Sequence, residues 1–257
     1  MNTPILPEEL RELMALRRPP IIVDARSSEA YEEGHIPSAY NVDSSGLSPE
    51  SSTFEGMIAF HSEVDAAYLC LGRFEKVEVV VYGDAMDACP CRALWLLHYS
   101  GQLAARLLMG GIERWRTEGH PVTSELPEID ATPFPVRSRR ETLARLDEVE
   151  EAVEKEKALI VDTRSAEEYA VEGGIIPGAI HLAPESLLTE RQDMFTDAET
   201  LRPRLEASGI TPDLVIIPYS NAAGRSSLVY VALKLLGYPR VKNFLGGWTE
   251  WSQRTQT

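Results

Sequence analysis

Cysteine is scarce in this chain. Its 257 residues hold three, Cys70, Cys89 and Cys91. A low, odd count argues against a disulfide framework and for a reducing compartment. Basic charge is also short: 25 Lys and Arg stand against 40 Asp and Glu, a formal net charge of -15. Such a balance makes nucleic acid and anionic membrane poor partners. No apolar run is long enough to span a bilayer. The opening stretch, MNTPILPEELRELMALRRPP, has no apolar core of signal-peptide length. A cytoplasmic location is therefore expected. What is present describes a globular protein, with 44% hydrophobic and 25% charged residues. The length suits one large or two ordinary domains.

An internal repeat favours two. Ile22-Val23-Asp24-Ala25-Arg26 recurs as Ile160-Val161-Asp162-Thr163-Arg164. Tyr31 matches Tyr169, and Pro37 matches Pro177. The ends repeat as Gly110-Gly111-Ile112-Glu113-Arg114-Trp115 and Gly246-Gly247-Trp248-Thr249-Glu250-Trp251. The middles match more loosely: Val79 to Tyr82 opens a strand, loop and helix, as Val215 to Tyr219 does. Matched blocks in one order indicate tandem copies of a domain, not a solenoid. The expected division is an N-terminal domain over 1–122, a Pro-rich linker over 123–138 and a C-terminal domain over 139–257. Pro121, Pro127, Pro133 and Pro135 make the boundary a semi-rigid connector.

Within each copy, short β-branched strands alternate with helical patterns. That predicts an α/β fold with a parallel sheet covered by helices on both faces. A short helix is expected over Glu8 to Leu16 and a strand over Ile21 to Val23. Residues 141–157 read as an amphipathic helix with Leu143, Leu146, Val149 and Val153 inward. Trp95, Trp248 and Trp251 read as packing residues. His35 and His181 read as a repeated pair that stabilises turns.

The most informative stretch is LVIIPYSNAAGRSSLVYVALKLLG, Leu214 to Gly237. Leu214 to Ile217 reads as a buried strand that ends at Pro218, since proline cannot donate to a ladder. A helix follows, with Leu228, Val231, Ala232, Leu235 and Leu236 at helical spacing. Between them lies Ser220-Asn221-Ala222-Ala223-Gly224-Arg225. Such a loop can aim backbone N–H groups at its first residue, and the helix N-terminus and Arg225 add positive charge. It is a candidate anion cradle at residue 220.

Other candidates carry less. Asp162 and Arg164 either brace this loop or form an ion pair that closes strand ends; Asp24 and Arg26 recur in the other copy, which favours the second reading. Arg92 either assists anion binding or is an exposed helix arginine. Cys89 and Cys91 lie beside Asp84 and Asp87, which would raise a thiol pKa, so packing is favoured over redox chemistry. C-P-C without nearby partners argues against a metal site. Cys70 reads as a buried helix residue. No cofactor is expected.

The IVD-x-R block, Gly34 to Ala39 with its partner IIPGAIHL, the segment around 220 and the GG-x-x-x-W ends together resemble the tandem-domain rhodanese family of thiosulfate and 3-mercaptopyruvate sulfurtransferases. The resemblance covers nearly the whole chain. It implies two rhodanese-like domains, the first non-catalytic. The second would carry a six-residue loop whose first residue is a cysteine that accepts sulfur as a persulfide. Arg225 would act beside it, Asn221, Ala222, Ala223 and Gly224 would form the anion-binding loop, and Asp162, Arg164 and Arg92 would support them. The implied partners are a small anionic sulfur donor and a thiophilic acceptor: cyanide, a thiol or a protein thiol. Here residue 220 is serine. A thiol has a reference pKa of about 8.5 and can become a thiolate. A hydroxyl ionises far above that, so the chain as written is expected to be inactive at this position. Ser220 is either an engineered replacement or a natural loss; retention of Arg225 and the small loop residues favours engineered or recently lost chemistry. The alternative is a non-catalytic module that binds an anion or a protein. Glu168 is a second departure: some thiosulfate-using members have arginine there, and a carboxylate would repel a dianion.

Overall fold

The computed structural model describes residues 4–49, 51–71, 77–85, 87–128, 136–171, 174–191, 195–221 and 224–254. Two compact units divide the chain. One comprises Met1–Leu47, His61–Ser138 and Arg191–Met194; the other comprises Ser48–Phe60, Arg139–Glu190 and Phe195–Thr257.

The elements of the N-terminal half, in order, are α1 (Pro7–Met14), β1 (Ile21–Asp24), α2 (Ser28–Glu33), β2 (Ala39–Asn41), α3 (Phe54–Ala67), β3 (Val79–Tyr82), α4 (Ala88–Tyr99), β4 (Ala105–Leu107) and α5 (Gly111–Thr117). The strands pair in parallel in the order β2-β1-β3-β4. All of Val79 to Tyr82 is buried, as befits an inner strand covered on both faces. Ile22, Val80, Tyr82, Leu108, Ile112 and Trp115 share its core. The first helix stops at Met14, and Leu16 is 55% exposed, so the sequence pattern overran it by two positions. Trp95 is fully buried and stacks on Tyr99 with ring centroids 5.1 Å apart.

The C-terminal half continues with β5 (Leu143–Ala144), α6 (Leu146–Lys155), β6 (Leu159–Asp162), α7 (Ala166–Val171), β7 (Ile180–His181), α8 (Ala198–Ala207), β8 (Ile216–Tyr219), α9 (Gly224–Leu235), β9 (Asn243–Phe244) and α10 (Gly247–Gln253). Its parallel sheet runs β5-β9-β8-β6-β7. The two halves share one topology. In the first, the outer strand is reduced to a parallel bridge from Ile5 to Leu108, beyond β4. Ile160, Ile217, Tyr219, Phe244, Val149 and Trp251 form the second core, with Trp248 packed against it.

Two sequence expectations are corrected here. The segment 141–157 is not helical throughout. Leu143 and Ala144 pair with Asn243 and Phe244 at the sheet edge, and the helix starts at Leu146. Its start is set where the Glu148 carboxylate accepts the Arg145 N–H at 3.2 Å. Nor does the strand before the loop end at Pro218. β8 runs through it to Tyr219, with Val161 opposite Pro218. The reason is the two-residue alternation of the ladder. Ile216 donates to Arg240 on the β9 side, so Pro218 two residues on turns its missing donor to that side. There the strand pairs only at Tyr219–Phe244, besides the isolated Ile216–Val241 bridge.

Part of the Pro-rich segment is docked rather than free. Thr123 and His35 exchange backbone hydrogen bonds of 2.8 and 2.9 Å, and Trp115 Nε1 donates to Pro121 O at 2.7 Å. Pro133 and Pro135 lie outside the described residues. Among the described residues no helix is long and apolar enough to cross a membrane.

Candidate functional site

In the second sheet the chain leaves β6 for β7 in one direction and β8 for β9 in the other. The carboxyl ends of β6 and β8 therefore flank a topological switch point, where open parallel sheets place ligands. Ser220 follows β8 directly. It is 3% exposed, and its Oγ has no hydrogen-bond partner among the described residues. A hydroxyl sealed without a partner is costly, whereas a thiol loses little there.

The C-terminal block holds the base of this loop, which explains the repeated glycine pair. Trp248 N donates to Ser220 O at 2.9 Å, and Thr249 Oγ1 donates to Asn221 O at 3.0 Å. Gly247 has φ +55°, and a Cβ there would lie 1.9 Å from Ser220 O. Only glycine fits both the backbone angle and the approach. The first half repeats the arrangement. Ile112 N donates to Gly83 O at 3.0 Å, and a Cβ on Gly111 would lie 2.3 Å from that oxygen. Gly83 is thus the counterpart of Ser220, and the first half has no side chain at that position.

Ala222 and Ala223 lie outside the described residues. Gly224 opens α9, a helix of 12 residues, whose amino end carries partial positive charge toward the loop. Arg225 follows, and its guanidinium is already engaged. Its Nη1 forms an ion pair with Glu168 Oε2, the side chains being 39% and 32% exposed. The same carboxylate accepts the Ser165 N–H at 2.8 Å and the Asn221 amide at 3.3 Å. Ser165 Oγ in turn accepts the Glu168 N–H at 3.1 Å, a reciprocal capping arrangement. Partial burial acts to raise the Glu168 pKa. The Ser165 and Arg225 contacts outweigh it and hold the carboxyl below the usual range. Glu168 thus neutralises Arg225, a pairing that sequence separation concealed.

Asp162 and Arg164 form a buried ion pair, Oδ2 to Nη2 2.7 Å, both side chains 0% exposed. Arg164 Nη2 also donates to Gly174 O at 2.8 Å, and Tyr219 Oη donates to Asp162 Oδ2 at 2.5 Å. Burial, then the Asp162 contact, pushes the Tyr219 pKa up. The first half has the same set: Arg26 with Asp24 at 2.6 Å and Gly34 O at 2.8 Å, and Tyr82 with Asp24 at 2.5 Å. A motif present in both halves ties strand ends to the following turn. In the second half it adds one contact to the loop's support, since the Arg164 guanidinium lies 4.6 Å from the Trp248 ring centre.

The other candidates are described by their own surroundings. Arg92 is not an exposed helix arginine: it is 3% exposed, and its Nη1 donates to Ser45 O and, at 3.2 Å, to Ser44 O. Burial lowers its pKa. It secures a turn within the first unit. Burial and the neighbouring Asp87 push the Cys89 thiol up to about 12, and burial raises Cys91 further. Neither is poised as a nucleophile. The side chain of Cys70 lies outside the described residues. His35 and His181 both bond backbone carbonyls, but they are not a repeated pair. His181 Nε2 contacts Arg164 O at 2.8 Å, the role of Asn41, whose amide donates to Arg26 O at 2.9 Å. His35 instead bonds Tyr31 O at 2.8 Å.

Comparison with known proteins agrees with the repeat. The description "Rhodanese-like domain" matches residues 6–118 and again residues 145–254. The chain is 33% identical over 249 residues to a thiosulfate sulfurtransferase of Azotobacter vinelandii, covering 92% of this chain and 89% of that protein. It is 36% identical over 243 residues to the sulfur carrier protein TtuD of Thermus thermophilus, covering 86% and 83%. Among solved structures, the anaerobic ergothioneine biosynthesis enzyme of Chlorobium limicola, in complex with trimethyl histidine, superposes with a TM-score of 0.84 at 24% identity. That match covers 97% of this chain and 68% of the other, and it speaks for the fold alone.

Proposed function

The chain belongs to the family of rhodanese-like domains, and from that premise we propose that it is a sulfurtransferase scaffold whose reacting position is residue 220. Relatives named thiosulfate sulfurtransferase and sulfur carrier protein support sulfur transfer between a donor and a thiol acceptor in general. The single observation that carries the assignment of the site is the buried side chain of Ser220, without a hydrogen-bond partner among the described residues, at the carboxyl end of an inner strand and beside the start of α9.

With cysteine at 220, the chemistry runs in two steps. The thiolate attacks the outer sulfur of thiosulfate, the S–S bond breaks, and sulfite leaves with the bonding pair. The resulting persulfide anion sits at the positive end of α9. A thiolate or cyanide then attacks the terminal sulfur, and the thiolate at position 220 is regenerated as the leaving group. 3-Mercaptopyruvate would deliver sulfur to the same atom: its C–S bond breaks, and pyruvate leaves with the bonding pair as the enolate and takes up a proton. With serine, no nucleophile of comparable acidity exists and oxygen holds no transferable sulfur, so the chain as written is inactive in this reaction. Asp162 and Arg164 act on the loop through Trp248.

The test is Ser220→Cys, incubated with thiosulfate or 3-mercaptopyruvate. A mass gain of one sulfur at residue 220, removable by cyanide, is expected, with no such adduct on the serine form. A folded Ser220→Cys protein that stays unmodified by both donors refutes the reading. A second reading, a non-catalytic anion- or protein-binding module, is favoured by one observation, the serine itself. It predicts binding without turnover for either residue.

A further inference from the structure

We propose that Glu168 is a specificity-determining residue that sets the charge selectivity of the loop by occupying Arg225, so that the site discriminates against dianions. This rests on the sulfurtransferase reading of residue 220 and extends it to the class of donor. The observation is the three-way engagement of one carboxylate. Glu168 holds the Arg225 guanidinium, accepts the Asn221 amide at 3.3 Å, and is itself anchored by the Ser165 N–H at 2.8 Å. Two of its partners are therefore residues of the 220–225 loop, and the third fixes it in place. Its charge cancels that of Arg225 at the loop, leaving the amino end of α9 as positive potential. A donor that needs Arg225 must compete with a carboxylate already seated there and then tolerate its charge nearby.

The energetic consequence scales with the donor's charge, because Coulomb energy is proportional to it. Thiosulfate carries two negative charges, and the carboxylate of 3-mercaptopyruvate carries one. Removing the Glu168 charge therefore shifts the affinity for thiosulfate by twice as much, on a logarithmic scale, as that for 3-mercaptopyruvate. The half-exposed pair is screened, which keeps both effects modest.

The experiment measures binding of each anion to the Ser220 chain by calorimetry, where no reaction intervenes, and repeats it with Glu168→Gln. Expected is a tightening of roughly tenfold for thiosulfate and roughly threefold for 3-mercaptopyruvate. Ser165→Ala removes the hydroxyl that caps the Glu168 N–H and leaves the charges intact; it should leave the ratio of the two affinities unchanged. Equal shifts for the two anions, weaker binding in a folded Glu168→Gln protein, or no binding of thiosulfate to either form overturns the proposal. So does a Ser165→Ala ratio that follows that of Glu168→Gln. The reading of residue 220 is judged separately, by persulfide formation in Ser220→Cys, so either idea can fail without the other.

Discussion

Replacing Ser220 by cysteine should stabilise the protein as well as arm it. The Ser220 Oγ is buried and has no partner among the described residues. Leaving a hydroxyl in that state costs about 1–3 kcal/mol of desolvation. A cysteine thiol is a weak donor that behaves as a small hydrophobe, so most of that penalty should vanish. The sulfur is larger than the oxygen, and any tightness in the pocket would return part of the gain. The net expectation is about 1 kcal/mol in favour of cysteine, a rise of roughly 2–4 °C in Tm for a chain of this size. Differential scanning calorimetry under reducing conditions reads it. Ser220→Ala separates the causes, because it removes the orphan hydroxyl without supplying a thiol. Alanine should match or exceed serine in stability yet form no persulfide. If both replacements lower stability by more than about 1 kcal/mol, the hydroxyl is bonded after all and the argument that the pocket suits sulfur fails.

Further outcomes follow from the same contacts. Gly247→Ala should destabilise the second unit by more than about 2 kcal/mol, because the residue has φ +55° and a Cβ would sit 1.9 Å from Ser220 O; chemical denaturation checks it. Asp162→Ala should cost about 3–5 kcal/mol by stranding a buried guanidinium, and Asp24→Ala should cost a similar amount in the first unit; a loss below about 1 kcal/mol in either would show that water reaches the pair. The Glu168 carboxyl is held below its ordinary value of 4.5, so its stabilising contribution is fully present above that pH and is lost as pH falls through the depressed folded value. Glu168→Gln should accordingly narrow the acid-side fall in Tm; an unchanged acid limb counts against the pairing. Cys89 and Cys91, with thiols pushed well above the ordinary range, should resist iodoacetamide near neutral pH in the folded protein and react once it is unfolded, as peptide mass mapping would report.

Tandem parallel sheets were legible because burial and repetition leave direct marks on residue order. Val79 to Val81 and Ile160 to Val161 are apolar without alternation, as a strand covered on both faces requires. The IVD-x-R and Gly-Gly blocks recur because each half must close its strand ends by the same ion pair and seat its last helix against the same carbonyl. The misreadings share a cause. Pro218 lies inside a strand because ladder bonds are one-sided at each residue, and which side is paired depends on the neighbour. Leu143 fits a helical stripe equally well as an edge strand, and only the presence of β9 beside it decides. Arg92 fits a solvent-facing position in sequence, but in the fold it is buried and bonds the carbonyls of Ser44 and Ser45, 48 and 47 positions away.

By itself the amino-acid order determined the duplicated α/β architecture, the position of the loop at 220 and the absence there of an ionisable thiol. These are local or periodic properties, written in residue types and their spacing. Folding decided what surrounds that position: a buried hydroxyl without a partner among the described residues, a glycine pressed onto its carbonyl, and a carboxylate from residue 168 closed on Arg225. Such pairings join residues far apart in the chain, 57 positions for Glu168 and Arg225. Charge and shape at the loop are sums over neighbours that meet only when the sheet assembles.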